Sequence, residues 1–117
     1  MTGNFSSIKF NDWEFVNHYW ETSNARGHEC HLLKNGIEMS MERTRYYNRT
    51  WEKYTYQSVM HSAVQNARKE HLDRYIEAYK ANNGIERFKA GQRKQLEEQF
   101  DKENPIYNEL ETFVKER

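Results

Sequence analysis

His28-Glu29-Cys30-His31-Leu32-Leu33-Lys34-Asn35-Gly36-Ile37-Glu38-Met39-Ser40-Met41-Glu42 is the stretch on which the fold turns. Asn35-Gly36 at its centre is a strong short-range hairpin signal, because a type I′ turn needs positive φ at both central residues and this pair tolerates it. Upstream, His28 to Lys34 reads as a strand. Downstream, the two-residue period of a strand places Ile37, Met39 and Met41 on one face and Glu38, Ser40 and Glu42 on the other. Toward the N-terminus, Trp13, Phe15, Val16, Tyr19 and Trp20 form an aromatic and β-branched run closed by the polar turn Thr22-Ser23-Asn24-Ala25-Arg26-Gly27. These segments predict a three-stranded antiparallel meander over about residues 12–47, with one face buried.

Beyond Asn48-Arg49-Thr50 the period changes. Tyr56, Val59, Met60, Ala63, Val64, Ala67, Leu72, Ile76 and Tyr79 recur every three or four residues, the spacing of one helix face. Asn82-Asn83-Gly84 is a sound stop. A second helix, about Ile85 to Lys102, carries a thin stripe of Ile85, Phe88, Leu96 and Phe100 interrupted by Gly91, and Asn104-Pro105 opens a third with Ile106, Leu110, Phe113 and Val114 inward. The expected class is α+β: one domain spanning 1–117, sheet first, then one long helix and two shorter ones over about 54–117. A first helix of about 25 residues would run roughly 37 Å, farther than three strands can cover. Leu72, Ile76 and Tyr79 therefore predict a homo-oligomer, with an isolated helical hairpin as the alternative.

The chain's 117 residues suffice for one modest core. Its 18 basic and 18 acidic side chains cancel, but not locally. Residues 1–42 hold three Lys/Arg against six Asp/Glu, residues 43–94 hold twelve against five, and residues 97–117 hold three against seven. A basic centre between acidic ends suits an anion site or surfaces that pair with each other; a solvated helix face is the plainer reading. No stretch approaches the roughly 20 apolar residues of a membrane span, and Met1-Thr2-Gly3-Asn4-Phe5 lacks a secretion signal's basic start and apolar run. A cytoplasmic protein with no membrane partner is expected. A single cysteine, Cys30, rules out an internal disulfide.

Catalytic chemistry finds little support. His28, Cys30 and His31, with His18 on the neighbouring strand, are the metal-ligand types present, but strand alternation turns His31 away from His28 and Cys30. No metal site is expected. Cys30 reads as ordinary core, Glu97-Glu98 as solvated charge, and no glycine-rich phosphate loop accompanies Gly84 or Gly91. The expectation is a non-enzyme without cofactor. The densest constellation is Arg43-Thr44-Arg45-Tyr46-Tyr47-Asn48-Arg49-Thr50-Trp51-Glu52-Lys53-Tyr54-Thr55-Tyr56, which interleaves guanidinium groups with aromatic rings where sheet gives way to helix. Arg forks bind phosphate oxygens bidentately and aromatic faces stack on nucleobases, so Arg43, Arg45, Tyr46, Tyr47, Arg49 and Trp51 are candidate ligand-binding residues. Arg87 and Arg93 from the helices of a partner chain would complete the pocket. The competing reading packs Tyr47, Trp51 and Tyr54 as the core of the junction.

The hairpin, Asn35-Gly36 and the run Tyr47-Asn48-Arg49-Thr50-Trp51-Glu52-Lys53-Tyr54 leading into Tyr56-Gln57-Ser58-Val59-Met60 resemble a pattern in small phage and prophage proteins of low-GC Gram-positive bacteria, over roughly residues 12–65. Phage proteins of this size are often anti-defence proteins. A sheet followed by long helices in an oligomer is similar in outline to the Thoeris anti-defence family that sequesters cyclic ADP-ribose isomers. The resemblance implies a protein that binds and withholds a small cyclic nucleotide immune signal in an infected host cell. Two alternatives remain: an inhibitor of a CRISPR-type nucleoprotein complex, with a host defence protein as partner, acting through an acidic helix or an aromatic sheet wedge; and a nucleic-acid-binding module.

Overall fold

The computed structural model describes residues 5–44 and 56–117. The elements are β1 (Phe5–Phe10), β2 (Trp13–Glu21), β3 (Arg26–Lys34), β4 (Ile37–Arg43), α1 (Tyr56–Asn83), α2 (Gln92–Glu103) and α3 (Ile106–Lys115). The α+β order and the long first helix match the sequence reading. The sheet, however, has four strands in the order β1-β2-β3-β4, not three. The added strand pairs antiparallel with β2, from Phe5 opposite His18 to Phe10 opposite Trp13. Its sequence signal is faint, since only Ile8 and Phe10 mark its inner face and the turn Asn11-Asp12 lacks glycine. Asn11 nevertheless takes φ 53°, the left-handed conformation that a tight two-residue hairpin needs at its first position.

Asn35 and Gly36 form the expected turn, with φ 51° and 80°. The alternation expected along β4 does not hold. Leu33 faces Glu38 and Leu32 faces Ser40, which leaves Met39 as an extra residue in a β-bulge. One inserted residue exchanges the two faces of everything beyond it. Ser40 is therefore buried and donates its hydroxyl to the Ala63 carbonyl at 2.6 Å, while Met41 turns outward at 45% exposure. Ile37, at the hairpin tip, is 67% exposed.

The core is a sandwich of sheet and helix. Trp13, Phe15, Cys30 and Leu32 meet Val59, Met60, Ala63, Val64 and Ala67 of α1 and Leu110 and Val114 of α3. Asn17 is fully buried on the same sheet face, and neither atom of its amide finds a hydrogen-bond partner among the described residues. Helix α3 runs antiparallel along α1: the Gln57 side-chain amide donates to the Val114 carbonyl at 3.0 Å, and His71 Nδ1 lies 2.8 Å from the Tyr107 hydroxyl. Helix α1 ends where Gly84 adopts φ 61° and the Ile85 amide donates back to the Lys80 carbonyl at 2.9 Å.

Two helix boundaries differ from expectation. Helix α2 starts at Gln92 rather than Ile85, because Gly91 at φ 81° breaks the right-handed course. Asn104 does not cap α3; its amide donates back to the Phe100 carbonyl at 3.0 Å and closes α2 instead. The far half of α1 is also covered without a second chain. Helix α2 folds back so that Phe100 meets Tyr75 at 5.4 Å, and Leu72 and Ile76 are buried within the chain's own core. Leu72 and Ile76 therefore present no free apolar face to a second copy, while Tyr79 packs beside Phe88 at 6.4 Å. Among the described residues no helix is long and apolar enough to cross a membrane.

Candidate functional site

The helices pack on one side of the sheet, and among the described residues no helix covers its other face. The pairing His18–Glu29 and Trp20–Gly27 across β2 and β3, and Glu29–Arg43 across β3 and β4, brings Trp20, His18, Glu29, His31 and Arg43 onto that outer face. Trp20 packs closely against its cross-strand neighbour Gly27: a Cβ on Gly27 would stand 2.8 Å from the indole ring. The Arg43 guanidinium sits 4.2 Å over that ring. Trp20 is only 2% exposed while the Arg43 side chain is half exposed. A cation held over an aromatic face is already ordered before a ligand arrives, which reduces the entropy lost on binding. Its nearest carboxylate oxygen, Glu29 Oε1, is 3.7 Å from Nε, beyond a direct hydrogen bond, so the fork retains donors for an anion.

The strand end is anchored from behind. The Thr44 amide donates to the His28 carbonyl at 2.9 Å, and the Thr44 hydroxyl lies 3.2 Å from the His28 amide and 3.1 Å from the same carbonyl. His28 in turn meets Tyr56, the first residue of α1, ring edge to face at 4.6 Å. Burial lowers the His28 pKa, which favours the neutral imidazole at this packed position.

Next to Arg43, Glu29 Oε2 lies 3.0 Å from His18 Nε2 and 2.8 Å from His31 Nε2. His31 Nδ1 meets the Glu38 carboxylate. Burial lowers the His31 pKa, but hydrogen bonds to Glu38 and Glu29 outweigh it, and the net shift is upward. The sequence reading separated His31 from His28 and Cys30, and the structure does so: His28 and Cys30 are buried on the helix side. Alternation within β3 alone gives no sign that His18, Glu29 and His31 converge. Only the β2–β3 register, which no local pattern contains, reveals that. Cys30 is fully buried and its thiol is pushed up to about 12, so it holds no thiolate near neutral pH.

Of the sequence-derived ligand residues, Arg45, Tyr46, Tyr47, Arg49 and Trp51 lie outside the described residues. Arg43 stands as above. Arg87 is exposed in the segment before α2, and Arg93 lies on α2 beside Asp73 and Glu97, each at 3.8 Å. Among the described residues, no hydrogen bond or ion pair joins Arg87 or Arg93 to Arg43, whose guanidinium neighbours Glu29. A separate cleft of about 390 Å³ lies among α1, α2 and α3, but its polar groups satisfy one another: Arg68 forks onto Asp101 at 3.0 Å, and Gln65 bonds Glu111. Comparison with protein-family models, curated proteins and solved structures finds no significant match for this chain.

Proposed function

We propose that this chain is a non-enzymatic binding protein that takes up and withholds a small anionic nucleotide at the outer edge of its sheet. The observation that carries the reading is the half-exposed Arg43 guanidinium held over the buried Trp20 ring. Immediately downstream the sequence supplies Arg45 and Arg49 for further phosphate oxygens and Tyr46, Tyr47 and Trp51 for stacking. Withholding a signal requires affinity without turnover, and the buried Cys30 thiol offers no nucleophile for turnover. Cyclic ADP-ribose isomers, implied by the phage-protein resemblance, are the first ligands to test, followed by cyclic dinucleotides.

Calorimetric titration of each ligand, with chromatographic recovery of the ligand afterwards, tests the reading. One ligand is expected to bind saturably and return unchanged. Arg43→Ala should weaken it by about 1.5–3 kcal/mol, the usual contribution of a charge-assisted hydrogen bond, with little change in melting temperature. No binding by any of these ligands, or undiminished binding by Arg43→Ala, refutes the proposal.

A second reading, inhibition of a nucleoprotein complex, draws on the exposed carboxylates Glu98, Glu103, Glu109 and Glu116 of the last two helices and the residue that follows them. Its aromatic-wedge version is disfavoured by burial, since Trp13, Phe15 and Trp20 are at most 4% exposed.

A further inference from the structure

We infer that His18, Glu29 and His31 form a binding site for one divalent transition-metal ion on the sheet face opposite the helices. The inference stands apart from the nucleotide reading and rests on three observations. The first is convergence. His18 faces Glu29 across the β2–β3 ladder, His31 follows Glu29 by two residues on the same face, and one ligand atom from each lies within 4.8 Å of the others. Ligand atoms about 2.0–2.1 Å from a zinc ion stand roughly 3.3 Å apart in a tetrahedron, so small side-chain rotations suffice to seat the ion. The two imidazole rings are nearly parallel, 16° apart, with both Nε2 atoms directed at the same oxygen, Glu29 Oε2.

The second observation is the outer support. Glu38 holds His31 through Nδ1, the carboxylate–histidine arrangement that fixes the tautomer and presents Nε2 as the donor to a metal. With Nδ1 donating to Glu38, the Nε2 lone pair points at the Glu29 carboxylate 2.8 Å away. Two acceptors at that separation need a cation between them, either a second proton on the ring or a metal ion. The third is charge. Glu29 and Glu38 bring two carboxylates to the cluster, and among the described residues the Lys or Arg paired with them is Arg43, which approaches the other Glu29 oxygen at 3.7 Å. That leaves Oε2 to act as a monodentate ligand. Two imidazole nitrogens and one carboxylate oxygen favour zinc, copper, nickel or cobalt over calcium or magnesium, which prefer all-oxygen sites. The ligand side chains are 18%, 14% and 30% exposed, so an ion enters from solvent and keeps an open coordination position.

Titration of untagged, chelator-stripped protein with zinc against a chromophoric competitor, at neutral pH, tests the assignment. One equivalent of zinc is expected to bind. His18→Ala and His31→Ala should each lower affinity at least 100-fold, Glu38→Gln should lower it about 10–100-fold, and His61→Ala on α1 should leave it unchanged. Cobalt added to the wild-type protein should shift the His18 and His31 imidazole resonances ahead of those of His28, His61 and His71, a readout that needs no variant to fold. Absence of one-equivalent uptake, or cobalt shifts centred on any other histidine, overturns the site and leaves a second proton on His31 as the cation between the carboxylates.

Discussion

Gly27→Ala tests the arrangement that holds the candidate site together. A Cβ at position 27 would fall 1.9 Å from the Thr44 carbonyl oxygen and 2.8 Å from the Trp20 ring. The closer neighbour is backbone, so it cannot swing aside as a flexible side chain would. Moving it by more than an ångström disturbs the Thr44 amide and hydroxyl contacts with His28. Overpacking of this kind costs about 1–3 kcal/mol, and each weakened hydrogen bond adds about 0.5–1.5 kcal/mol. A loss of roughly 2–4 kcal/mol is therefore expected, a large share of the about 5–15 kcal/mol that stabilises a typical domain. At the 4–8 °C per kcal/mol typical of domains near this size, the melting temperature should fall by at least about 8 °C. Urea unfolding followed by circular dichroism measures the first quantity, and a thermal scan the second. Because the substitution also lifts Arg43 and Trp20 out of register, any ligand held by Arg43 should bind less well even at temperatures where the variant is fully folded. A variant as stable as wild type to within 0.5 kcal/mol would refute the close approach of Thr44 to β3, and with it the ordered position of Arg43.

Two further outcomes follow from the packing and the titrating groups. Leu72→Asp places a charge in the layer closed by α2, so it should unfold the chain or cost more than about 3 kcal/mol; light scattering that instead shows a folded monomer derived from a wild-type oligomer would mean that a second chain covers this face. His71 and His28 have pKa values lowered by burial, in His71 with further lowering by Arg74 and Lys34, so both bind protons more weakly folded than unfolded. Their contribution to stability is complete above the unfolded value of about 6.5 and is lost as pH falls below it. Proton NMR should show both rings titrating below that value, and titration of His71 above it would contradict its packing against Phe100 and Tyr107.

What could be read along the chain was what depends on neighbours in sequence. Asn35-Gly36 specifies its own turn through its tolerance of positive φ, Gly84 specifies the end of α1 in the same way, and the apolar spacing from Val59 to Ile76 specifies one buried helix face. Each is a local conformational or periodic constraint. Of the candidate ligand residues in the Arg-rich junction, Arg43 lies within the described structure. Tertiary structure decided the rest. Strand β1 is held by pairing with β2 rather than by its own composition. The bulge at Met39 reverses the faces of β4, which a strict alternation misassigns. The close approach of the Trp20 ring to Gly27, seven residues away on another strand, and the meeting of His18, Glu29 and His31 both depend on the register between β2 and β3. Register is fixed by which faces the whole sheet can bury against α1 and α3, a sum over many distant contacts that no single segment encodes.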